Sequence, residues 1–337
     1  MPDTSERETS RPEAYERSRL LLAEQLEAVE QRLLRICGPE ANILGQAARG
    51  AVEAGGKRLR PLLVLLCARA VADPNEDSEG IAAAVEVMHL ASLMHDDVVD
   101  EATVRRGAPA VRARWGNRVA VLAGDYLAAR AYWELNSLKD RDYLEILAHV
   151  AMDMCLTEGD LARGAGAVLT PEDCLRVARG KTAGLLAACC RLGALSVGAD
   201  PEVAQAFWEY GESYGMAFQL TDDLLDIYGD EDVLGKRPGQ DIASGQLTYP
   251  LAVALRSAVA GELRRALSAF RAGEEPSGDL QQVRELVSSG GGEAQTQAQV
   301  ESYVSRAVAA LQAVAAADSR VITALEGLVR ALPKRRY

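Results

Sequence analysis

Residues 90–107 read LASLMHDDVVDEATVRRG, and this stretch decides how the rest of the chain is interpreted. Three acids, Asp96, Asp97 and Asp100, follow an apolar run whose spacing predicts a helix. On a helix, Asp96 and Asp100 lie at positions i and i+4, so both carboxylates project from one side. Such a pair is costly without a cation between its members. Magnesium suits this position, because it takes one or two carboxylates and completes its shell with water and substrate phosphate.

A second copy of the acidic pattern occurs at residues 218–226, which read FQLTDDLLD and contain Asp222, Asp223 and Asp226. A single acidic i, i+4 pair is common on solvated helix faces. The second copy is embedded in leucines, where charged groups are rare unless they are paired or bound to metal. Two matching clusters therefore predict a cavity whose facing walls share metal ions.

The composition bounds the class of protein. The chain has 337 residues, of which 48% are hydrophobic and only 5% are aromatic, with alanine and leucine abundant, so we expect an all-helical fold. A formal net charge of −12 argues against nucleic acid as a partner. No apolar run reaches the roughly 20 residues that span a bilayer. Residues 1–13 are polar and predict a mobile tail, and residues 14–337 predict a single domain.

The cysteines indicate the compartment. The six cysteines show no zinc-ligand spacing, and several lie inside apolar helical stretches. They are typical of buried thiols in a reducing cytoplasm. The polar N-terminus has no apolar signal-peptide core. We therefore expect a cytoplasmic protein.

Cationic segments stand on either side of the first cluster. Residues 55–61 read GGKRLRP and place Lys57, Arg58 and Arg60 at a predicted helix start. They are either solvated cations or, with the free N–H groups of the helix, an anion site. Lys181 and Thr182 lie among small residues, and no acid nearby in the sequence offers Lys181 a partner.

Together these motifs resemble the trans-isoprenyl (polyprenyl) diphosphate synthases. The similarity runs from about residue 31 to the C-terminus and covers GGKRLRP, HDDVVDEATVRRG, the Lys181-Thr182 pair, FQLTDDLLD and GKRPGQDIASGQLTYP, in the family's order. The resemblance implies an all-α fold of the isoprenoid synthase type I class. This fold is one large bundle of antiparallel helices around a deep central cavity, and family members are usually homodimers.

The resemblance also implies a role for each motif residue. Magnesium, with three ions in each site, would be held by Asp96, Asp100, Asp222 and Asp226, with Asp97 and Asp223 in support. The diphosphate of an allylic substrate would contact Arg105, Lys181, Thr182, Gln219 and Lys236. Isopentenyl diphosphate would contact Lys57, Arg60, His89 and Arg106. The implied catalytic set is Asp96, Asp97, Asp100, Arg105, Lys181, Asp222 and Asp223.

The implied reaction is magnesium-assisted ionisation of the allylic diphosphate, condensation with isopentenyl diphosphate and loss of a proton. Short-chain members often have a lysine where this sequence has Gln246, which puts one diphosphate contact in doubt. His89 lies two helical turns before Asp96 and can therefore share its cavity.

The residues below the first cluster predict the length of the product. Ala91 and Ser92 are small, whereas short-chain synthases tend to have an aromatic floor there. Met88, one turn further down, is flexible and a poor stop. We therefore predict a medium- to long-chain product, although a floor from Tyr126, Tyr132 or Trp133 remains an alternative.

Three other functions remain open at this point. A geranylgeranyl diphosphate synthase is disfavoured by the small residues at positions 91 and 92. A class I terpene cyclase usually keeps one aspartate cluster and does not need the cationic residues of the 55–61 segment. A non-catalytic partner subunit tends to lose its acids, and all six are present here.

Overall fold

The computed structural model describes residues 13–38, 42–163, 170–231, 237–273, 276–314 and 318–334. Helices dominate these ranges, as predicted. They are α1 (Glu13–Leu20), α2 (Ala23–Ile36), α3 (Ile43–Glu53), α4 (Leu59–Val71), α5 (Glu76–Val99), α6 (Val111–Trp115), α7 (Asn117–Asn136), α8 (Asp142–Arg163), α9 (Pro171–Ala178), α10 (Gly184–Ser196), α11 (Pro201–Tyr228), α12 (Gln240–Ser244), α13 (Tyr249–Ala254), α14 (Ala260–Ala272), α15 (Pro276–Ser289), α16 (Gly292–Gln312) and α17 (Ser319–Arg330).

Two long helices, α5 and α11, carry the acidic clusters at their C-terminal ends. Helix α10 packs against both of them, and a π-helical turn at Arg179–Ala183 joins it to α9. Helix α5 begins with a capping box in which Asn75 and Ser78 satisfy each other's backbone N–H groups. Helix α11 begins with Pro201, whose fixed φ suits the first helical position.

Two glycines allow close contacts between helices: Gly193 brings α10 against α4, and Gly215 brings α11 against the π turn. A Cβ on Gly193 of α10 would lie 2.1 Å from the carbonyl oxygen of Val64 in α4. A Cβ on Gly215 of α11 would lie 2.5 Å from Cα of Ala183 in the π turn. Because both contacts are with backbone atoms, neither neighbour can move aside cheaply. The π turn is therefore held directly against α11, one and a half to two turns before the second acidic cluster.

The core lies around α4, α5 and α10. The run Leu62–Cys67 is fully buried, as are most residues of α10. Burial of a leucine side chain contributes about 1.5–3 kcal/mol, so these helices give the bundle a rigid centre. A second, smaller apolar cluster lies under the end of α11 and includes Ile227, Ile242 and Leu251.

Two local features interrupt the helical pattern. The first two helices, α1 and α2, are separated by a turn at which Leu22 is buried. Helix α5 is followed by a short antiparallel hairpin that pairs Val104–Arg105 with Ala108–Pro109, although the sequence shows no strand alternation. Within the described ranges, none of the helices combines the length and the apolar character that crossing a bilayer requires.

Candidate active site

The first acidic cluster has one buried and two more open carboxylates. Asp97 is 3% exposed, whereas Asp96 is half-buried and Asp100, the C-cap of α5, is exposed. Arg105 of the hairpin donates from Nε to Oδ1 of Asp97 over 2.7 Å. Burial raises the pKa of Asp96, and the nearby Lys181 ammonium opposes this shift. Asp97 therefore anchors the hairpin, while Asp96 and Asp100 remain available to a ligand.

Lys181 of the π turn faces this cluster and has a partner that the sequence did not reveal. Its Nζ lies 2.8 Å from Oε1 of Glu158 in α8. Burial alone would lower the pKa of the Lys181 ammonium, but Asp96, Glu158 and Asp100 together raise it. The lysine is thus charged and shared between α5 and α8. Glu158 was missed because nothing in its local sequence separates it from the other acids of α8.

The neighbouring residue, Thr182, connects the π turn to the second acidic cluster. Its Oγ1 donates to Oε1 of Gln219 over 2.8 Å, and Nε2 of Gln219 donates to Oδ1 of Asp223 over 2.9 Å. Lys181 and Thr182 are adjacent in the chain, so one turn carries a cation near the first cluster and a hydroxyl that is hydrogen-bonded to Gln219 of the second motif. Such π turns are rare in proteins, and those that do occur are often found at functional sites.

The second cluster is more deeply buried than the first. Asp223 and Asp226 are 6% and 2% exposed, and Asp222 is half-buried. Burial raises the pKa of Asp223 to about 7, although the hydrogen bond from Gln219 opposes this. A buried carboxylate in contact with a neutral amide has no full counter-charge there, which explains the direction of the shift.

Asp226 caps the segment that follows α11. Its Oδ1 accepts from the backbone N–H of Gln240 over 3.2 Å, and its Oδ2 accepts from that of Asp241 over 3.0 Å. Its own carbonyl accepts from the N–H of Gly239 over 2.6 Å. Both carboxylate oxygens are thus engaged with the start of α12. This geometry gives Asp226 a capping role, and the metal-ligand role that the family resemblance implies stays a prediction.

The cationic residues predicted to bind the second substrate gather beside α5. Burial, together with the charges of Arg60, Arg106, Arg105 and Arg58, holds the pKa of His89 well below its usual range, so its ring is neutral. Arg106 adopts φ +52°, and its guanidinium donates to the carbonyl of Gly55. The carbonyl of Lys57 accepts from the hydroxyl of Tyr15.

Sequence analysis named Arg58 only among the cations at the start of α4 and did not single out its partner Glu86. Arg58, in the left-handed conformation at φ +48°, binds Glu30 of α2 and Glu86 of α5 through its guanidinium, with N–O distances of 2.6 and 3.1 Å. Glu86 is 1% exposed. Its position three residues before His89 was visible in the sequence, but an acid on an otherwise apolar helix gave no indication of which cations it would meet.

The residues predicted to set product length lie on α5 as expected. Ala91 and Met88 are buried, and Ser92 is half-buried with its hydroxyl bonded to the carbonyl of His89 over 2.9 Å. Of the aromatic alternatives, Trp133 is 71% exposed, and Tyr126 donates to the carbonyl of Cys37 over 3.2 Å. Which side chain forms the floor stays a prediction.

The aspartates of the two clusters are suitable magnesium ligands by type, but they do not form a complete coordination shell by themselves. Among the described residues, no three His, Cys, Asp or Glu side chains lie close enough to enclose a metal ion. Magnesium commonly uses one or two carboxylates and completes its shell with water and phosphate oxygens. The half-buried Asp96 and the exposed Asp100 supply carboxylates of this kind. Lys236, the last predicted diphosphate contact, lies outside the described residues.

Comparison with known proteins identifies the class. A family model described as polyprenyl synthetase matches residues 41–287. Heptaprenyl diphosphate synthase component 2 of Geobacillus stearothermophilus is 42% identical over 236 residues, covering 69% of this chain and 73% of that protein. The chain therefore belongs to the polyprenyl synthetase family of prenyltransferases, and the family resemblance predicted from the sequence is confirmed.

Solved structures agree with this assignment. A decaprenyl diphosphate synthase from Rhodobacter capsulatus superposes with a TM-score of 0.87 at 34% identity, covering 96% of this chain and 99% of that one. A polyprenyl synthase from Caulobacter crescentus, complexed with calcium and isoprenyl diphosphate, gives a TM-score of 0.87 at 32% identity, with coverage of 97% and 100%. The isoprenoid synthase fold expected from the sequence is thereby confirmed.

Proposed function

We propose that this chain condenses an allylic prenyl diphosphate with isopentenyl diphosphate, head to tail, and releases a medium- to long-chain polyprenyl diphosphate. The observation that carries the proposal is the π turn, which places Lys181 beside the first acidic cluster and Thr182 on a hydrogen-bonded path to the second. A leaving diphosphate held there would meet carboxylate-bound cations from two sides.

The allylic diphosphate would bind between the clusters. Magnesium, three ions in the proposed complex, would be held mainly by Asp96, Asp100 and Asp222 and would supply Lewis-acid stabilisation of the leaving group. Lys181, Thr182 and Gln219 would orient its oxygens, and Arg105 would add a further cation. As the C–O bond breaks, negative charge grows on the diphosphate, where preorganised cations are most effective.

Isopentenyl diphosphate would bind in the cationic region beside α5. Its diphosphate would contact Lys57, Arg60 and Arg106, with neutral His89 as a hydrogen-bonding group. Nε of Arg60 supports this assignment, since it is buried and has no hydrogen-bond partner among the described residues. The double bond would then attack the allylic carbocation, and the departing diphosphate would take the proton lost from the isopentenyl unit.

Product length would be set along α5. The sequence Ala91-Ser92 offers no large side chain one turn before Asp96, and Met88 follows a turn further on. One helical turn is about 5.4 Å, close to the reach of one isoprene unit. Replacement of Ala91 by Phe should therefore shorten the product, and an unchanged product would disprove this placement of the floor.

The assembly proposed is a homodimer in which each chain forms one domain. Helices α7 and α8 expose apolar side chains, among them Val121, Leu122, Trp133, Met152 and Leu156. A patch of this kind is typical of a protein interface. Light scattering after size exclusion would test the dimer. A cytoplasmic location is supported by six unpaired cysteines, of which five are buried.

The test of function is a primer series. Purified protein with magnesium and labelled isopentenyl diphosphate would be incubated separately with dimethylallyl, geranyl, farnesyl and geranylgeranyl diphosphates. We expect the longer primers to be extended beyond the geranylgeranyl length. Products that end at geranylgeranyl would favour a short-chain synthase. Cyclised hydrocarbons would indicate a cyclase, and the absence of any product would indicate dependence on a partner subunit.

A further inference from the structure

A buried carboxylate, Glu86, lies within the cationic region and has no role in the function proposed above. It stands in the middle of α5, one turn before His89, and is 1% exposed. A charge so far from water is strongly disfavoured unless cations pair with it. The identity of those cations therefore indicates what the carboxylate does.

Arg58 is the direct partner of Glu86. Its Nη1 lies 3.1 Å from Oε1 of Glu86, and its Nε and Nη2 lie 2.6 and 3.2 Å from the two oxygens of Glu30. The guanidinium also donates to the carbonyl of Val52 over 2.8 Å. Arg58 thus ties α2, α3 and α5 together, and its own donors are committed to the protein.

Arg60 and Arg106 also feel the charge of Glu86. Burial lowers the pKa of both guanidiniums, and Glu86 is the largest opposing influence on each. Arg58 and Arg60 lower the pKa of Arg106 further, because like charges repel. Of the three guanidiniums, that of Arg58 contacts Glu86 directly, while those of Arg60 and Arg106 lie close enough to be influenced by its charge.

We propose that Glu86 is the resident counter-ion of this anion site: it holds Arg58, Arg60 and Arg106 together before a diphosphate arrives. The proposal rests on the assignment of this region to the second substrate. Glu86 does not touch the diphosphate and is a positioning residue. When the diphosphate binds, its charges add to that of Glu86, and Arg58 stays in place on Glu30.

The experiment measures stability against urea with and without inorganic pyrophosphate, in EDTA so that metal-dependent binding is absent. Without pyrophosphate, Glu86→Gln should be less stable than the unmodified protein. Pyrophosphate should then raise the unfolding midpoint of Glu86→Gln by about twice the increment seen in the unmodified protein, because a bound anion stabilises the folded state most where it replaces a missing charge.

A matched control separates this role from a purely structural one. Arg32 of α2 and Glu134 of α7 form another partly buried ion pair, and α7 is not one of the helices that Arg58 ties together. Glu134→Gln should lower stability and leave the pyrophosphate increment unchanged. Equal increments in Glu86→Gln, Glu134→Gln and the unmodified protein would overturn the proposal.

Further outcomes are equally decisive. If Glu86→Gln does not fold alone, the double variant Arg58→Gln/Glu86→Gln should fold better, since removal of one guanidinium relieves the repulsion. Failure of that rescue would overturn the proposal. If pyrophosphate stabilises no variant, the anion site itself is wrong. Turnover of the unmodified protein in the primer series would still decide the proposed function independently.

Discussion

The two acidic clusters have the same spacing of aspartates, but their buried carboxylates have different hydrogen-bond partners. In the first, the buried middle residue Asp97 is paired with a cation, Arg105. In the second, the buried middle residue Asp223 is bonded to a neutral amide, Gln219, and its pKa is raised to about 7. The middle aspartate is thus inward-facing in both motifs, and only its partner differs.

The aspartates at the other two positions of the motif can be compared in the same way. The first aspartate of each cluster, Asp96 or Asp222, is half-buried. The last aspartates diverge, since Asp100 is exposed at a helix end and Asp226 caps a backbone segment. A repeated sequence therefore does not imply repeated hydrogen-bond partners.

The largest effect is expected where the clusters are alike. Asp96→Asn and Asp222→Asn should each reduce kcat/KM by about 100-fold or more, because each removes charge that stabilises the leaving diphosphate. Glu209→Gln, at an exposed position of α11, is the control and should have no effect. Steady-state kinetics with farnesyl diphosphate would measure this. Loss in only one of the two variants would mean that the clusters do not share a site.

The second prediction concerns the buried middle residues, where the clusters differ. Asp97→Asn should lower the free energy of unfolding by about 2 kcal/mol, because it leaves Arg105 without its counter-charge. Asp223→Asn should change it by less than about 1 kcal/mol, since the amide oxygen can still accept from Gln219. Urea unfolding in EDTA would test both. Equal losses of unfolding free energy in the two variants would mean that Arg105 and Gln219 do not differ as partners of the buried aspartates.

These expectations show how far the sequence could lead. Residue type and spacing are local properties of the sequence. They were enough to predict the acidic repeats, the cationic segments and the all-α fold. The contact between Lys181 and Glu158, and that between Glu86 and Arg58, depend on which faces of distant helices meet. The π turn was equally hidden, since its residues continue a regular helical pattern and only packing against Gly215 reveals the wider turn.

The third prediction tests the last aspartates. Asp226→Asn should lower stability by about 1–2 kcal/mol, because an amide nitrogen would replace an acceptor facing a backbone N–H group. Asp100→Asn, at an exposed position, should stay within about 0.5 kcal/mol. The same urea titrations suffice. A greater loss in Asp100→Asn would refute the capping role assigned to Asp226.

The smallest effect is expected at the connection between the clusters. Thr182→Val removes the hydroxyl that donates to Gln219 and should cost about 1 kcal/mol, with a raised KM for the allylic diphosphate. Thr182→Ser should restore both values. Thr221→Val is a suitable comparison, since that buried hydroxyl donates to the carbonyl of Ala217 in its own helix. An unchanged KM in Thr182→Val would show that the hydrogen bond between Thr182 and Gln219 is not needed for binding of the allylic diphosphate.

The π turn at Arg179–Ala183 also constrains the length of the chain at that point. A π turn accommodates one more residue than an α-helical turn, so deletion of a single residue such as Gly180 would restore a regular α-helix. That helix would be locally sound, and the residues on either side of it would keep nearly the same faces, because a wide turn accommodates its extra residue within a single turn. The loss would fall on the turn itself, which brings Lys181 to Glu158 and Thr182 to Gln219.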